Sequence, residues 1–141
     1  MIVLDTHVVS EPLKPAPAPE VLRWLDAQEP QTLYITSVVW AELLAGVTAL
    51  RQSKRRTALA EALTGQVSAL FGSRVLPFDI RAAEAFANNH AAAQAQGNPI
   101  GFADCAIASI ASAQGFALAT RNTRDFKGVD IVLIDPWGYQ A

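Results

Sequence analysis

The sequence predicts a single α/β domain with a parallel sheet, and two observations carry that prediction. Short apolar runs such as Ile2-Val3-Leu4 and Leu33-Tyr34-Ile35-Thr36 alternate with longer segments of helical periodicity. Strands separated by helices argue for a parallel sheet with helices on both faces. The 141 residues hold no internal repeat and no linker that marks a boundary, so residues 1–141 are read as one domain.

The elements follow in order. Ile2-Val3-Leu4 ends on Asp5 and suits a buried strand. Pro12, Pro15, Pro17 and Pro19 lie two or three residues apart, a density that forbids a helix and predicts a surface connection. Glu20 to Gln28 places Val21, Leu22, Trp24 and Leu25 on one helical face. Leu33 to Thr36 is the second strand, and Ser37 is the expected N-cap of a helix from Val38 to Leu50. Arg51 to Leu70 continues helically, with Leu59, Leu63, Val67 and Leu70 on one face. Arg74 to Phe78 is a third strand whose Pro77 marks a strand end. Ile80 to Gln96 is an alanine-rich helix stopped by Gly97-Asn98-Pro99. Ile100 to Gln114 is a helix closed by Gly115 at C′. Phe116 to Thr120 and Ile131 to Ile134 are the last strands, joined by a polar turn.

Composition excludes several classes of function. Of the residues, 51% are hydrophobic and 17% charged, as in a compact globule. A core of this length buries about 68–70% of the unfolded surface, so folding needs no disulfide or structural metal. Cys105 is the single cysteine, and His7 and His90 are the two histidines, which excludes thiolate or multi-histidine metal sites. Metal, if bound, is bound through oxygen. The formal charge of −2 gives no cationic field over the whole molecule, so a nucleic-acid site would be a local patch. Neither a signal peptide nor a membrane span is expected, and a soluble cytoplasmic protein is the default.

The informative residues are acids in apolar surroundings. Asp5 stands at the carboxyl end of the first strand, the edge where open α/β sheets hold ligands. An Asx-turn or helix cap is the plainer role for the same residue. Glu42 lies in SVVWAELLAG, where apolar neighbours on nearly every side predict a buried helix. A carboxylate on that helix's exposed face is the alternative. Asp104 is the lone acid of its helix, which has no basic residue to pair with it, and it shares a face with Ala108 and Ala111. A hydrogen-bonded core Asp is its structural alternative. Asp125 lies in the polar turn TRNTRDF; alone it is a turn acid, but the turn follows a strand as Asp5 does.

Together Asp5, Glu42, Asp104 and Asp125 predict an acidic cluster drawn from four remote segments. Crowded carboxylates repel and raise one another's pKa unless a cation neutralises them. An oxygen-only donor set suits Mg²⁺ or Mn²⁺, and such a site polarises a phosphoryl oxygen and makes hydroxide from bound water. Arg121, Arg124 and Lys127 flank Asp125 and are better placed for phosphates, whereas Arg51, Lys54, Arg55 and Arg56 form a solvated helix face. Thr6, Ser37 and Thr120 offer hydroxyls at the same edge. His7 is assigned a hydrogen-bonding role rather than a catalytic one.

LDTHVVSE, the Glu of SVVWAELLAG, the Asp of GFADCAIASIA, and LATRNTRDF followed by VLIDPW resemble the PIN-domain proteins, in the branch of VapC and FitB-like toxins of bacterial type II toxin–antitoxin systems. The resemblance spans essentially the whole chain. It implies a Rossmann-like parallel sheet flanked by helices, carrying a Mg²⁺- or Mn²⁺-dependent endoribonuclease for single-stranded RNA. It implies catalytic roles for Asp5, Glu42, Asp104 and Asp125, with Asp5 and Asp104 as metal ligands and Asn122 as a rival for the fourth place. Thr6 or Thr120 takes the family's supporting hydroxyl. Implied partners are RNA, a cognate antitoxin in a groove bordered by Glu11 to Pro19 and the helices of Val38 to Leu70, a second copy, and operator DNA. His7 stands where the family commonly has Asn, which implies altered tuning of the acids.

Two other functions fit parts of the sequence. An Asp after the first strand could form an aspartyl-phosphate, but the second acid such phosphatases need two residues on is here His7. A catalytically silent protein-binding module would use the Pro-rich loop and exposed Trp24, Trp137 and Tyr139.

Overall fold

The computed structural model describes residues 1–140. Its sheet comprises β1 (Ile2–Leu4), β2 (Leu33–Thr36), β3 (Val75–Leu76), β4 (Ala117–Ala119) and β5 (Leu133–Ile134), in the order β3-β2-β1-β4-β5. Every neighbouring pair is parallel; Ile2 stands beside Leu33 on one side and Ala117 on the other. The helices are α1 (Thr6–Ser10), α2 (Pro19–Asp26), α3 (Ser37–Thr48), α4 (Lys54–Phe71), α5 (Ile80–Ala95) and α6 (Phe102–Gln114). Chain order steps one way from β1 to β3, then returns past β1 to β4. Right-handed crossovers therefore set α1–α4 on one face and α5 and α6 on the other. The order reverses between β1 and β4, so their carboxyl ends open the crevice in which such sheets bind ligands.

Val3, Leu4, Ile35, Leu118 and Ala119 of the central strands are almost wholly buried, together with Cys105 to Ala111 of α6. The small residues Ala108 and Ala111, which share one face, let α6 lie close on the sheet. Gly115 closes α6 in the left-handed conformation, at φ 72°, as its place after the periodic segment predicts. Among the described residues no helix is long and apolar enough to cross a membrane.

Several expectations need correction. The proline-rich stretch does not exclude helix: Glu11–Leu13 forms a 3-10 turn, and α2 begins on Pro19. Both prolines concerned lie in a first turn, where the missing N–H has no helical partner to lose. A helix over residues 6–10 also follows β1 directly, started by Asp5. Thr36, not Ser37, caps α3: its buried hydroxyl accepts the Val39 N–H at 3.0 Å, while Ser37 is already helical. The residues around Glu42 do not make a buried helix. Only Val39 and Leu43 of α3 are buried, and Glu42 is exposed, so α3 carries more apolar surface than this chain covers. Ser53 starts α4, leaving Arg51 outside it, and Phe71 rather than the exposed Leu70 completes its inward face. Trp24 is buried in the core, and Trp137 and Tyr139 are half-buried, so the three are not a free aromatic surface.

Candidate active site

Asp5 follows β1 as the chain turns into α1. Its backbone N–H donates to Ala119 O at 2.9 Å, which locks it to the end of β4. Its carboxylate is buried and serves two ends: Oδ1 accepts the Thr6 N–H at 2.8 Å, and Oδ2 accepts the Thr120 hydroxyl at 2.7 Å. Asp5 is thus a helix cap and a member of the acidic edge at once. A carboxylate has about four lone-pair sites, so these two bonds leave it able to accept more. Thr120 is fully buried and also accepts the Asn122 N–H at 3.2 Å.

Glu42 reaches the same edge from α3, where its Oε1 accepts the Thr6 hydroxyl at 2.7 Å. Asp104 comes from the first turn of α6, half-buried, and makes no side-chain hydrogen bond among the described residues. Its carboxyl is pushed up from 3.8 to about 6. Burial is the largest cause, followed by the charges of Asp5, Asp125 and Glu42, and the His7 ring partly offsets them. Asp125 is exposed in the 3-10 turn Thr123–Phe126, which the buried Phe126 anchors. The structure therefore brings Asp5, Glu42 and Asp125 within electrostatic reach of Asp104. Asn122 contributes through its backbone, accepting the Asp125 N–H at 3.0 Å.

A cation suits this donor set. The single ion pair among the described residues joins Lys14 to Glu11, so no Lys or Arg neutralises any of the four acids. The available donors are hard carboxylate oxygens, braced by Thr6 and Thr120, which match Mg²⁺ or Mn²⁺ rather than a softer metal. Among the described residues no three acidic, histidine or cysteine side chains already converge on one coordination point. Uncompensated like charges favour that separation.

Two contributors have roles that the sequence does not predict. Asn98, read only as part of a helix stop, donates from Nδ2 to the Arg124 and Lys127 carbonyls at 3.2 and 3.1 Å. It thereby fixes the turn bearing Asp125 against the loop that enters α6. The signal available was an amide between a glycine and a proline, which is common to ordinary turns. The other is Trp137, whose ring lies 5.1 Å from the Arg121 guanidinium carbon. Arg121 and Arg124 are both exposed.

Beside Thr6 and Glu42 runs a groove of about 410 Å³, lined among others by Leu13, Pro15, Gly46, Val47 and Leu59. It lies between the proline-rich segment and helices α3 and α4.

Residues 2–132 match the family model of the PIN domain. A VapC ribonuclease of Sinorhizobium fredii is 44% identical over 137 residues, covering 97% of this chain and 98% of the relative. The toxin FitB of Neisseria gonorrhoeae is 38% identical over 137 residues, covering 97% and 99%. The solved structure of FitAB bound to a DNA fragment matches with a TM-score of 0.94 at 35% identity, over 100% of this chain and 99% of that one.

Proposed function

The chain belongs to the PIN-domain family, in the branch of the VapC ribonuclease and FitB relatives, and on that premise we propose that it is a toxin acting as a Mg²⁺- or Mn²⁺-dependent endoribonuclease on single-stranded RNA. The observation that carries the proposal is the group of four acids that no basic side chain neutralises. Asp5 and Asp104 are the direct ligands, because they are the two recessed carboxylates, and Glu42 and Asp125 complete the rim. When bound, the cation supplies Lewis acidity to a phosphoryl oxygen and makes water a better nucleophile near neutral pH.

The protein's own groups do the positioning. Thr120 and the Thr6 N–H hold the Asp5 carboxylate in one orientation, so it is preorganised rather than gathered by substrate. The Thr6 hydroxyl orients Glu42, which is exposed at the rim and placed to accept a proton from the attacking water. Arg121 and Arg124 offer guanidinium groups to the backbone phosphates, which a single strand presents while its bases stay unpaired. His7 adds a ring near Asp104 that competes with the cation when protonated.

The groove beside Thr6 and Glu42 is the seat we assign to a cognate antitoxin. Its floor is apolar and it opens onto the acidic edge, so one segment lying there would cover the site. The FitAB relative, solved as a complex on DNA, supports a toxin–antitoxin pairing and assembly on operator DNA for this chain. The surplus apolar surface of α3 suits partner contact, either with the antitoxin or in a homodimer.

The test is cleavage of a mixed-sequence fluorescent single-stranded RNA in Mg²⁺, in Mn²⁺ and in EDTA, beside Asp104→Asn. Cleavage that needs the metal and vanishes in a folded Asp104→Asn protein is expected. Full cleavage by the variant, or in EDTA, overturns the assignment.

A further inference from the structure

Arg121 is held in place without being used. Its neighbours are fixed on both sides: the Thr120 hydroxyl donates to Asp5 Oδ2 at 2.7 Å and accepts the Asn122 N–H at 3.2 Å. Its guanidinium carbon lies 5.1 Å from the centre of the Trp137 ring, within cation–π range. The backbone that carries Trp137 is fixed in turn, since its backbone N–H donates to Asp135 Oδ1 at 2.9 Å and its turn packs on α2, with the indole half-buried. Yet Arg121 donates no hydrogen bond and joins no ion pair among the described residues. Glu11, a buried acid that feels the charge of Arg121, is taken by Lys14 at 2.9 Å, and Arg121 is the weakest of the influences upon it.

An indole face attracts the guanidinium charge without giving it a carbonyl or carboxylate acceptor, so the N–H donors of Arg121 have no oxygen partner among the described residues. A long exposed side chain ordinarily loses much rotamer freedom when it binds; here part of that ordering precedes binding. From this geometry we infer that Trp137 is a positioning residue, whose indole holds Arg121 as a preformed bidentate fork for a backbone phosphate of single-stranded RNA entering beside Asp5. The inference rests on the ribonuclease reading and adds to it a defined phosphate subsite and the residue that builds it. The alternative owner of that fork, a carboxylate of a protein partner, is separated by the experiment below.

The experiment measures binding of a short fluorescein-labelled single-stranded RNA in EDTA, and kcat/KM in Mg²⁺, across roughly 50 to 200 mM salt. The proteins are the full chain and its Arg121→Gln, Arg121→Lys, Trp137→Leu and Trp137→Phe variants. Arg121→Gln weakens binding about tenfold, as loss of a charge-assisted contact does. It also lowers the slope of log affinity against log salt by about 0.7, the share of one phosphate contact on a single strand. Trp137→Leu lowers that slope too, although it removes no charge, and Trp137→Phe restores most of it. Arg121→Lys keeps the charge without the planar fork and falls between wild type and Arg121→Gln. A merely structural Trp137 would change thermal stability and leave the slope alone.

An unchanged slope in Arg121→Gln overturns the subsite, and an unchanged slope in Trp137→Leu overturns the pedestal. If Trp137→Leu fails to fold, Trp137→Met, which fills the space without an aromatic face, takes its place with the same expected loss of slope. RNA binding that is intact in Arg121→Gln while antitoxin binding weakens would assign the fork to the protein partner and overturn the inference. A wild type that neither binds nor cleaves RNA removes the ribonuclease reading itself, whereas wild-type cleavage with an unaltered Arg121→Gln removes only this inference.

Discussion

Asp104→Asn is the perturbation whose effect the structure lets us work out most fully, because the same substitution should stabilise the metal-free fold. The Asp104 carboxyl rises from 3.8 to about 6 through burial and through the charges of Asp5, Asp125 and Glu42. A folded-state value above the unfolded one means that ionising this group costs stability. The cost is absent below the ordinary value, grows as pH rises between about 4 and about 6, and is complete above that. At about 1.4 kcal/mol per pH unit the rise corresponds to a ceiling of about 3 kcal/mol. Asp104 is only half-buried, so solvent screening brings this down to about 1–2 kcal/mol. Asn also forfeits the favourable meeting of a carboxylate with the first turn of α6, about 0.3–1 kcal/mol, but loses no side-chain hydrogen bond. The net gain is about 1 kcal/mol, or about 4 °C in Tm for a domain of this size. The assay is thermal unfolding of both proteins in EDTA from pH 4 to pH 8. The variant should melt higher at pH 7 to 8, and the gap should close as pH falls below about 6. A variant that melts lower at pH 8, or a gap independent of pH, would refute the raised Asp104 carboxyl and with it the roles of burial and neighbouring charges in raising it.

Three further outcomes follow from the same geometry. Mg²⁺ or Mn²⁺ should raise the Tm of the wild type more at pH 8 than at pH 5, where Asp104 is largely protonated, and should raise that of Asp104→Asn little; equal shifts in both proteins would place the ion elsewhere. Thr120→Val leaves Asp5 Oδ2 and the Asn122 N–H without their buried partner, so urea unfolding should show a loss of about 2 kcal/mol, with Thr120→Ser recovering most of it. Asn98→Ala releases the Asp125 turn, and should cost about 1 kcal/mol while reducing cleavage more than its small loss of stability explains.

Much of this site was legible in the sequence because its logic is local. Asp5 ends a β-branched run, and Asp104 is a lone acid among small apolar residues, so each declares itself without reference to distant parts of the chain. The strand and helix order followed from periodicity, and Gly115 from the helix end it closes. What sequence leaves open depends on tertiary context. Glu42 sits among apolar residues, as a buried acid would, yet α3 leaves that surface open; a hydrophobic segment does not say whether the core or a partner covers it. Trp24 and Trp137 look alike in sequence, but one fills the core and the other carries Arg121. The Thr6–Glu42 and Thr120–Asp5 bonds link residues 36 and 115 positions apart, distances at which no motif spacing operates.

The proposal that the four acids hold a catalytic cation is tested most directly by locating Mn²⁺ itself. Anomalous scattering from crystals of the protein soaked in Mn²⁺ at pH 8 should place the ion against the Asp5 and Asp104 carboxylates, and the same soak of Asp104→Asn should lose it. An ion bound away from both residues, or a site left unchanged by Asp104→Asn, would contradict the account.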